Sequence, residues 1–74
     1  MWTRGEIIIN GIRFKYWVKH FDEGSKYGID DGKISKLEIK RDGEYVVHYD
    51  RGWDIYPSEN LDIQVYEGLL REFN

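Results

Sequence analysis

The sequence predicts an α+β domain: a four-stranded antiparallel sheet of two hairpins with one C-terminal helix packed on one face, a two-layer ββββα unit spanning residues 1–74. Asn10-Gly11 and Asp42-Gly43 each lie between runs that alternate apolar and polar residues, the pattern of antiparallel hairpins. From Pro57 onward the period lengthens to that of a helix. No Gly/Ser-rich linker, repeat or low-complexity tract divides the chain, so it forms a single domain.

In the first hairpin a tight type I′ turn at Asn10-Gly11 sets Ile9 opposite Ile12, Ile7 opposite Phe14, Gly5 opposite Tyr16 and Thr3 opposite Val18. That side is a core face. The other side carries Trp2, Arg4, Glu6, Ile8, Arg13, Lys15, Trp17 and Lys19, with Glu6 facing Lys15 and Arg4 facing Trp17 as favourable cross-strand pairs. In "KISKLEIKRDGEYVVHYD" the hydrophobic pattern selects the register. A two-residue Asp42-Gly43 turn would set Lys40 against Tyr45 and Glu38 against Val47, mixing polar and apolar residues. A three-residue turn, Arg41-Asp42-Gly43, instead pairs Ile39 with Tyr45, Leu37 with Val47 and Ser35 with Tyr49, and is the expectation here. The opposite face then holds Lys36, Glu38, Lys40, Glu44, Val46 and His48.

The helix presents Leu61, Val65, Tyr66, Leu69, Leu70 and Phe73 as one stripe. Ser58 is the expected N-cap, and Glu59 and Asp62 suit the positive end of the helix dipole. Gly68 weakens the interior by about 1 kcal/mol relative to Ala, so the helix depends on tertiary packing. Between sheet and helix, "DRGWD" is expected to form a sealed structural corner of Arg51, Gly52, Trp53 and Asp54. Gly52 would turn the chain, Trp53 and Ile55 would tuck beneath the first helical turn near Leu61, and Arg51 or Asp54 would tie the corner by hydrogen bonds.

A chain of 74 residues buries only about 60% of the surface its unfolded form exposes. Three tryptophans, six tyrosines and three phenylalanines are more than so small a core encloses, so some must lie at the surface or in an interface. The absence of cysteine excludes disulfides and thiolate metal sites and suits a reducing cytoplasm. No apolar run reaches membrane-spanning length and no signal-peptide core is present, so a soluble, unexported protein is expected. The formal net charge of -3 hides a partition: Arg4, Arg13, Lys15 and Lys19 outnumber Glu6 in residues 1–20, and Lys33, Lys36, Lys40 and Arg41 outnumber Glu38 in residues 33–41.

One helix covers only one face of a four-stranded sheet. The uncovered face therefore collects Trp2, Arg4, Ile8, Arg13, Lys15, Trp17, Lys19, Lys36, Lys40, Val46 and His48, a basic surface bearing aromatics. From it, Trp2, Arg4, Arg13, Lys15, Trp17, Lys19, Lys36 and His48 are the candidate partner-binding residues.

Catalytic and metal chemistries find little support. The window "YGIDDGKISKLE" imitates a calcium loop, but Tyr27 and Ile29 stand where oxygen ligands are required, so Asp30-Asp31-Gly32 is expected to be a turn leading into a strand. His20 and His48 lack the spacing of zinc ligands. Ser35, His48 and Asp50 suggest a triad, yet the expected register puts Ser35 and His48 on opposite faces. The glycines lie singly, without the spacing of a phosphate loop. No catalytic residue, cofactor or metal site is expected.

The stretch "YGIDDGKISKLEIKRDGE", followed by "YDRGWDIYP" and a short C-terminal helix, resembles a family of small uncharacterised proteins from Gram-positive bacteria and their phages. That resemblance implies a domain of unknown function in a phage or prophage setting, and it carries over no site residue. The expected function is a non-enzymatic module that engages a protein partner, from the host or a second copy, through the open face. Single-stranded nucleic-acid binding, with Trp2 and Trp17 stacking bases between lysines and arginines, is the alternative, and a homodimer closing on the same face is another.

Overall fold

A computed structural model describes residues 1–74. The chain forms β1 (Trp2–Ile9), β2 (Ile12–His20), β3 (Ile34–Arg41), β4 (Glu44–Asp50), β5 (Trp53–Ile55) and α1 (Asn60–Phe73), with a short 3-10 turn at Ile29–Asp31. The strands make one antiparallel meander in the order β1-β2-β3-β4-β5. The α+β class stands, with five strands where four were expected. The fifth is a three-residue edge strand in the segment taken for a corner, too short to leave an alternation in the sequence.

The first hairpin adopts the expected register throughout, from Ile9 opposite Ile12 to Thr3 opposite Val18. Its turn has both central residues at positive φ, Asn10 at 52° and Gly11 at 77°, the conformation that matches strand twist. Tyr16 lies directly over Gly5. A Cβ on Gly5 would meet the Tyr16 hydroxyl at 2.5 Å, so the absent side chain makes room for the ring.

The second hairpin corrects the expected register. Its turn is the two-residue form, with Asp42 at φ 50° and Gly43 at 88°, which sets Arg41 opposite Glu44 and Lys40 opposite Tyr45. A bulge at Val46 then shifts the ladder, so that Ile39 faces Val47, Leu37 faces Tyr49 and Lys36 faces Asp50. The extra residue reconciles a tight turn with an apolar inner face. As a result Tyr45 moves to the open face, and Val46, expected there, packs against the core. Arg41, expected in the turn, reaches the helix side and meets Asp62.

Helix α1 packs across β2, β3 and β4. Between the layers lie Phe14, Val18, Ile29, Ile34, Leu37, Ile39, Val47, Tyr49, Val65, Tyr66 and Leu69. Leu61, Leu70 and Phe73 complete the expected stripe at its margins. Glu59 rather than Ser58 holds the N-cap position, without a side-chain capping bond. Asp62, expected to complement the helix dipole, is 1% exposed, with Oδ1 3.0 Å from Arg41 Nε. Those two atoms are not aligned as a hydrogen bond. Burial raises the Asp62 pKa above its ordinary 3.8, a rise that the Arg41 charge partly opposes.

The segment before β3 is locked to the end of the helix. Asn74 Oδ1 accepts the Ile34 N–H at 2.9 Å, and Asn74 Nδ2 donates to the Ile29 carbonyl at 3.1 Å. The expected Asp30-Asp31-Gly32 turn is present, with both aspartates at positive φ, 51° and 58°, a region that Asp tolerates better than most residues. Gly28 and Gly32 pack back to back there, since a Cβ on Gly28 would overlap the Gly32 carbonyl. The Tyr49 hydroxyl donates to the Tyr27 carbonyl at 2.8 Å and ties the loop to β4.

Candidate functional site

Strand alternation places Arg13, Lys15, Trp17 and Lys19 of β2 on the face opposite the helix, and Lys36, Glu38 and Lys40 of β3 beside them. The register opposes Lys15 to Lys40 and Lys19 to Lys36, with Trp17 opposite Glu38 between them. Like charges directly opposite in a sheet destabilise it, so each of these two pairs carries a small cost to folding.

Two features organise this face. Toward the hairpin turns, Arg13, Lys15, Trp17, Lys40 and Asp42 line a shallow basin of about 560 Å³. Trp17 forms its only large apolar wall and is half-buried. A second depression shares Lys15 and Trp17 and adds Arg4, Glu6 and Tyr16. At the other end Trp2, 53% exposed, has the Lys19 and Lys36 ammonium groups 5.8 and 5.7 Å from its ring centroid. Lys19 also lies 5.6 Å from the Phe21 ring. Of the expected partner-binding residues, then, Arg4, Arg13, Lys15 and Trp17 gather in one place and Trp2, Lys19 and Lys36 in another.

Cross-strand pairing departs from expectation at two points, since Arg4 stands opposite Trp17 without a cation–π contact and Glu6 turns from Lys15. Glu6 stands opposite Lys15, but its carboxylate bonds diagonally to Arg13, with Nε to Oε1 at 3.1 Å. Arg4, Lys15, Lys19 and Lys40 have no carboxylate partner.

His48 lies apart from both clusters. Its Nδ1 is 2.8 Å from Asp54 Oδ2 on β5, and because a carboxylate only accepts, that nitrogen carries the proton. Nε2 faces Glu38 Oε1 at 4.0 Å, and the same oxygen accepts the Tyr45 hydroxyl at 3.0 Å. That hydrogen bond, followed by the Glu38 charge and by burial, raises the Tyr45 pKa. Lys40 Nζ sits 4.6 Å from the Tyr45 ring centroid and links this row to the basin. His48 therefore takes Asp54 as its partner, and Asp50 pairs with Lys36 at 3.9 Å instead. Ser35 is a bulged residue whose carbonyl accepts the Arg51 N–H at 3.1 Å. The Asp54-oriented imidazole joins β5 to β4 across the sheet edge. Asp54 was expected only as a corner tie and Tyr45 on the core face, because neither β5 nor the Val46 bulge was expected; Lys40 was expected on this face but not among the partner-binding residues.

The corner differs from expectation in three ways. The positive φ of the corner falls on Arg51, at 56°, rather than on Gly52, where a Cβ would meet nothing within 4 Å. Trp53 meets Tyr49, Tyr56 and Tyr66 with ring centroids 5.0, 4.6 and 5.5 Å away, and is thus seated against the middle of α1 rather than near Leu61. Trp53 remains 38% exposed and Ile55 39% exposed, whereas Pro57 is buried in the connection. Burial foremost, with the nearby Tyr56 and Asp30 next, pushes the Tyr66 pKa up to about 12.

No three His, Asp or Glu side chains converge as a metal site. No helix is long and apolar enough to cross a membrane. The profile of a domain of unknown function, DUF7678, matches residues 1–74, and the chain belongs to that family. No curated protein matches the chain, and no solved structure does.

Proposed function

We propose that this DUF7678 domain is a non-enzymatic binding module whose open sheet face holds an acidic segment of a protein partner. The opposition of Lys15 to Lys40 and of Lys19 to Lys36 carries this reading. Carboxylates of a partner laid along β2 and β3 would relieve both repulsions, with the pairs spaced about 13 Å apart along the strand. Trp17 supplies an apolar anchor in the basin, as aromatic side chains do at the centres of interfaces. Glu38 between the two lysine pairs and Glu6 beside Arg13 favour a protein over a phosphate backbone, which would have to pass over both carboxylates. Two copies of so basic a face repel each other, which favours a foreign partner over self-association here. The cysteine-free composition supports a cytoplasmic setting, and the family resemblance supports a phage or prophage one with a host protein as partner.

The test is a titration of a labelled glutamate-rich peptide and of labelled oligothymidylate at low and physiological salt. The peptide is expected to bind, and a Trp17→Ala/Arg13→Ala variant with an unchanged circular-dichroism spectrum is expected to lose it. Peptide binding that survives both substitutions overturns the chosen surface. Tight oligothymidylate binding with a steep salt slope replaces the acidic segment with single-stranded nucleic acid, and Trp2 and Trp17 as stacking platforms.

A further inference from the structure

We infer that the free edge of β1 pairs with β1 of a second copy, antiparallel about a two-fold axis at Gly5, extending the two sheets into one. The sheet has two edges and they differ. β5 offers three residues, whereas β1 offers eight, without a proline and with no register break against β2. A long, regular, unprotected edge is what natural proteins avoid unless it is used.

The backbone settles which residues are available. Met1 and His20 exchange hydrogen bonds in both directions, His20 N–H to the Met1 carbonyl at 2.9 Å and the Met1 ammonium to the His20 carbonyl at 3.1 Å. Alternation along an antiparallel ladder then turns the N–H and C=O groups of the odd residues toward β2, and those of Trp2, Arg4, Glu6 and Ile8 toward the free edge. A second β1 must therefore pair even residues with even residues. Three registers keep the strands largely overlapped. Centring on Arg4 opposes arginine to arginine, and centring on Glu6 opposes glutamate to glutamate. Centring on Gly5 opposes Arg4 to Glu6 and Trp2 to Ile8, each pair occurring twice by symmetry.

The Gly5 register satisfies groups that the single chain leaves open. Arg4 has no carboxylate partner, Trp2 is 53% exposed and Ile8 is 61% exposed, all on one face of β1. On the helix-side face Thr3 meets Ile7, and the two Tyr16 rings, each lying over its own Gly5, approach across the axis. Glu6 keeps Arg13 on its own chain and gains Arg4 of the second copy. Arg4 and Glu6 also line the depression beside the Trp17 basin, but pairing at the β1 edge is read by association state and the acidic segment by peptide binding, so either proposal can fail alone.

The experiment is sedimentation equilibrium on the whole chain and on two exposed-site variants, Arg4→Glu and Glu6→Arg, each checked by circular dichroism. Wild type is expected to dimerise as concentration rises toward about 1 mM. Each variant alone opposes like charges twice and is expected to dimerise at least about tenfold more weakly. In an equimolar mixture both carboxylates of the first variant meet arginines of the second, so two opposite-charge pairs form again and the wild-type constant is expected to return. A wild type that stays monomeric overturns the proposal, as do single variants that dimerise like wild type. Weakened variants that fail to recover on mixing overturn the register.

Discussion

On the helix side of the sheet the buried charge has an opposite beside it, Asp62 against Arg41, whereas on the open side Lys15 faces Lys40 and Lys19 faces Lys36. Water explains why the second arrangement survives. Exposed ammonium groups are hydrated and screened, so opposing them costs tenths of a kcal/mol, while an unpaired carboxylate under α1 would cost several. The helix side is thus arranged for stability, and the open side carries a small, tolerable repulsion.

The largest effect that tests this contrast is Phe14→Ala. Phe14 is fully buried beneath α1, and its truncation is expected to cost about 3–5 kcal/mol, a large share of the stability of so small a domain. Urea titration should show most of the folded baseline lost. Next come the two tryptophans. Trp53→Ala removes three aromatic contacts and should cost about 2–3 kcal/mol, moderated by the ring's exposure, while Trp17→Ala should cost less than about 1.5 kcal/mol. A larger cost at Trp17 than at Trp53 would break the contrast.

A smaller effect belongs to Asp62. Its folded pKa lies above the ordinary 3.8, so the folded protein holds the proton more tightly than the unfolded chain. The group's contribution to stability is fully present below 3.8 and is lost as pH rises through the folded value. Asp62→Asn should remove that slope, so that wild type gains on the variant as the medium is acidified. A constant difference in urea midpoint would mean that the carboxylate is not desolvated. The smallest effect has the opposite sign: Lys15→Gln relieves the opposition to Lys40 and should raise stability by a few tenths of a kcal/mol at low salt, while weakening the acidic peptide.

Much of the helix side is legible in the sequence because period and turn chemistry agree there. Asn10-Gly11 demands positive φ, and Ile7, Ile9, Phe14 and Val18 alternate without interruption, so the first register follows. The second hairpin hides a bulge in the doublet Val46-Val47, where adjacent apolar residues both turn inward, and that doublet is the one signal of it. Three-residue β5, all of it exposed, leaves no periodic trace, which is why the His48–Asp54 contact could not be anticipated. Gly52 was expected to turn the chain, but the positive φ falls on Arg51, whose N–H bonds the Ser35 carbonyl. The basic open face was legible from charge partition. Its division into a Trp17 basin and a Trp2 cluster depends on side-chain reach that spacing does not encode.

The two hydrogen bonds of Asn74 have a kinetic meaning. Each hairpin closes over neighbouring residues, so the meander can assemble from local events, but the Ile34 amide waits for a side chain 40 residues away. Until α1 docks, that amide lacks its partner, and the segment around Ile29 is held without Asn74, by the Tyr49 hydroxyl on the Tyr27 carbonyl. Hydrogen exchange at Ile34 therefore measures how often the helix lifts from the sheet, separately from global unfolding.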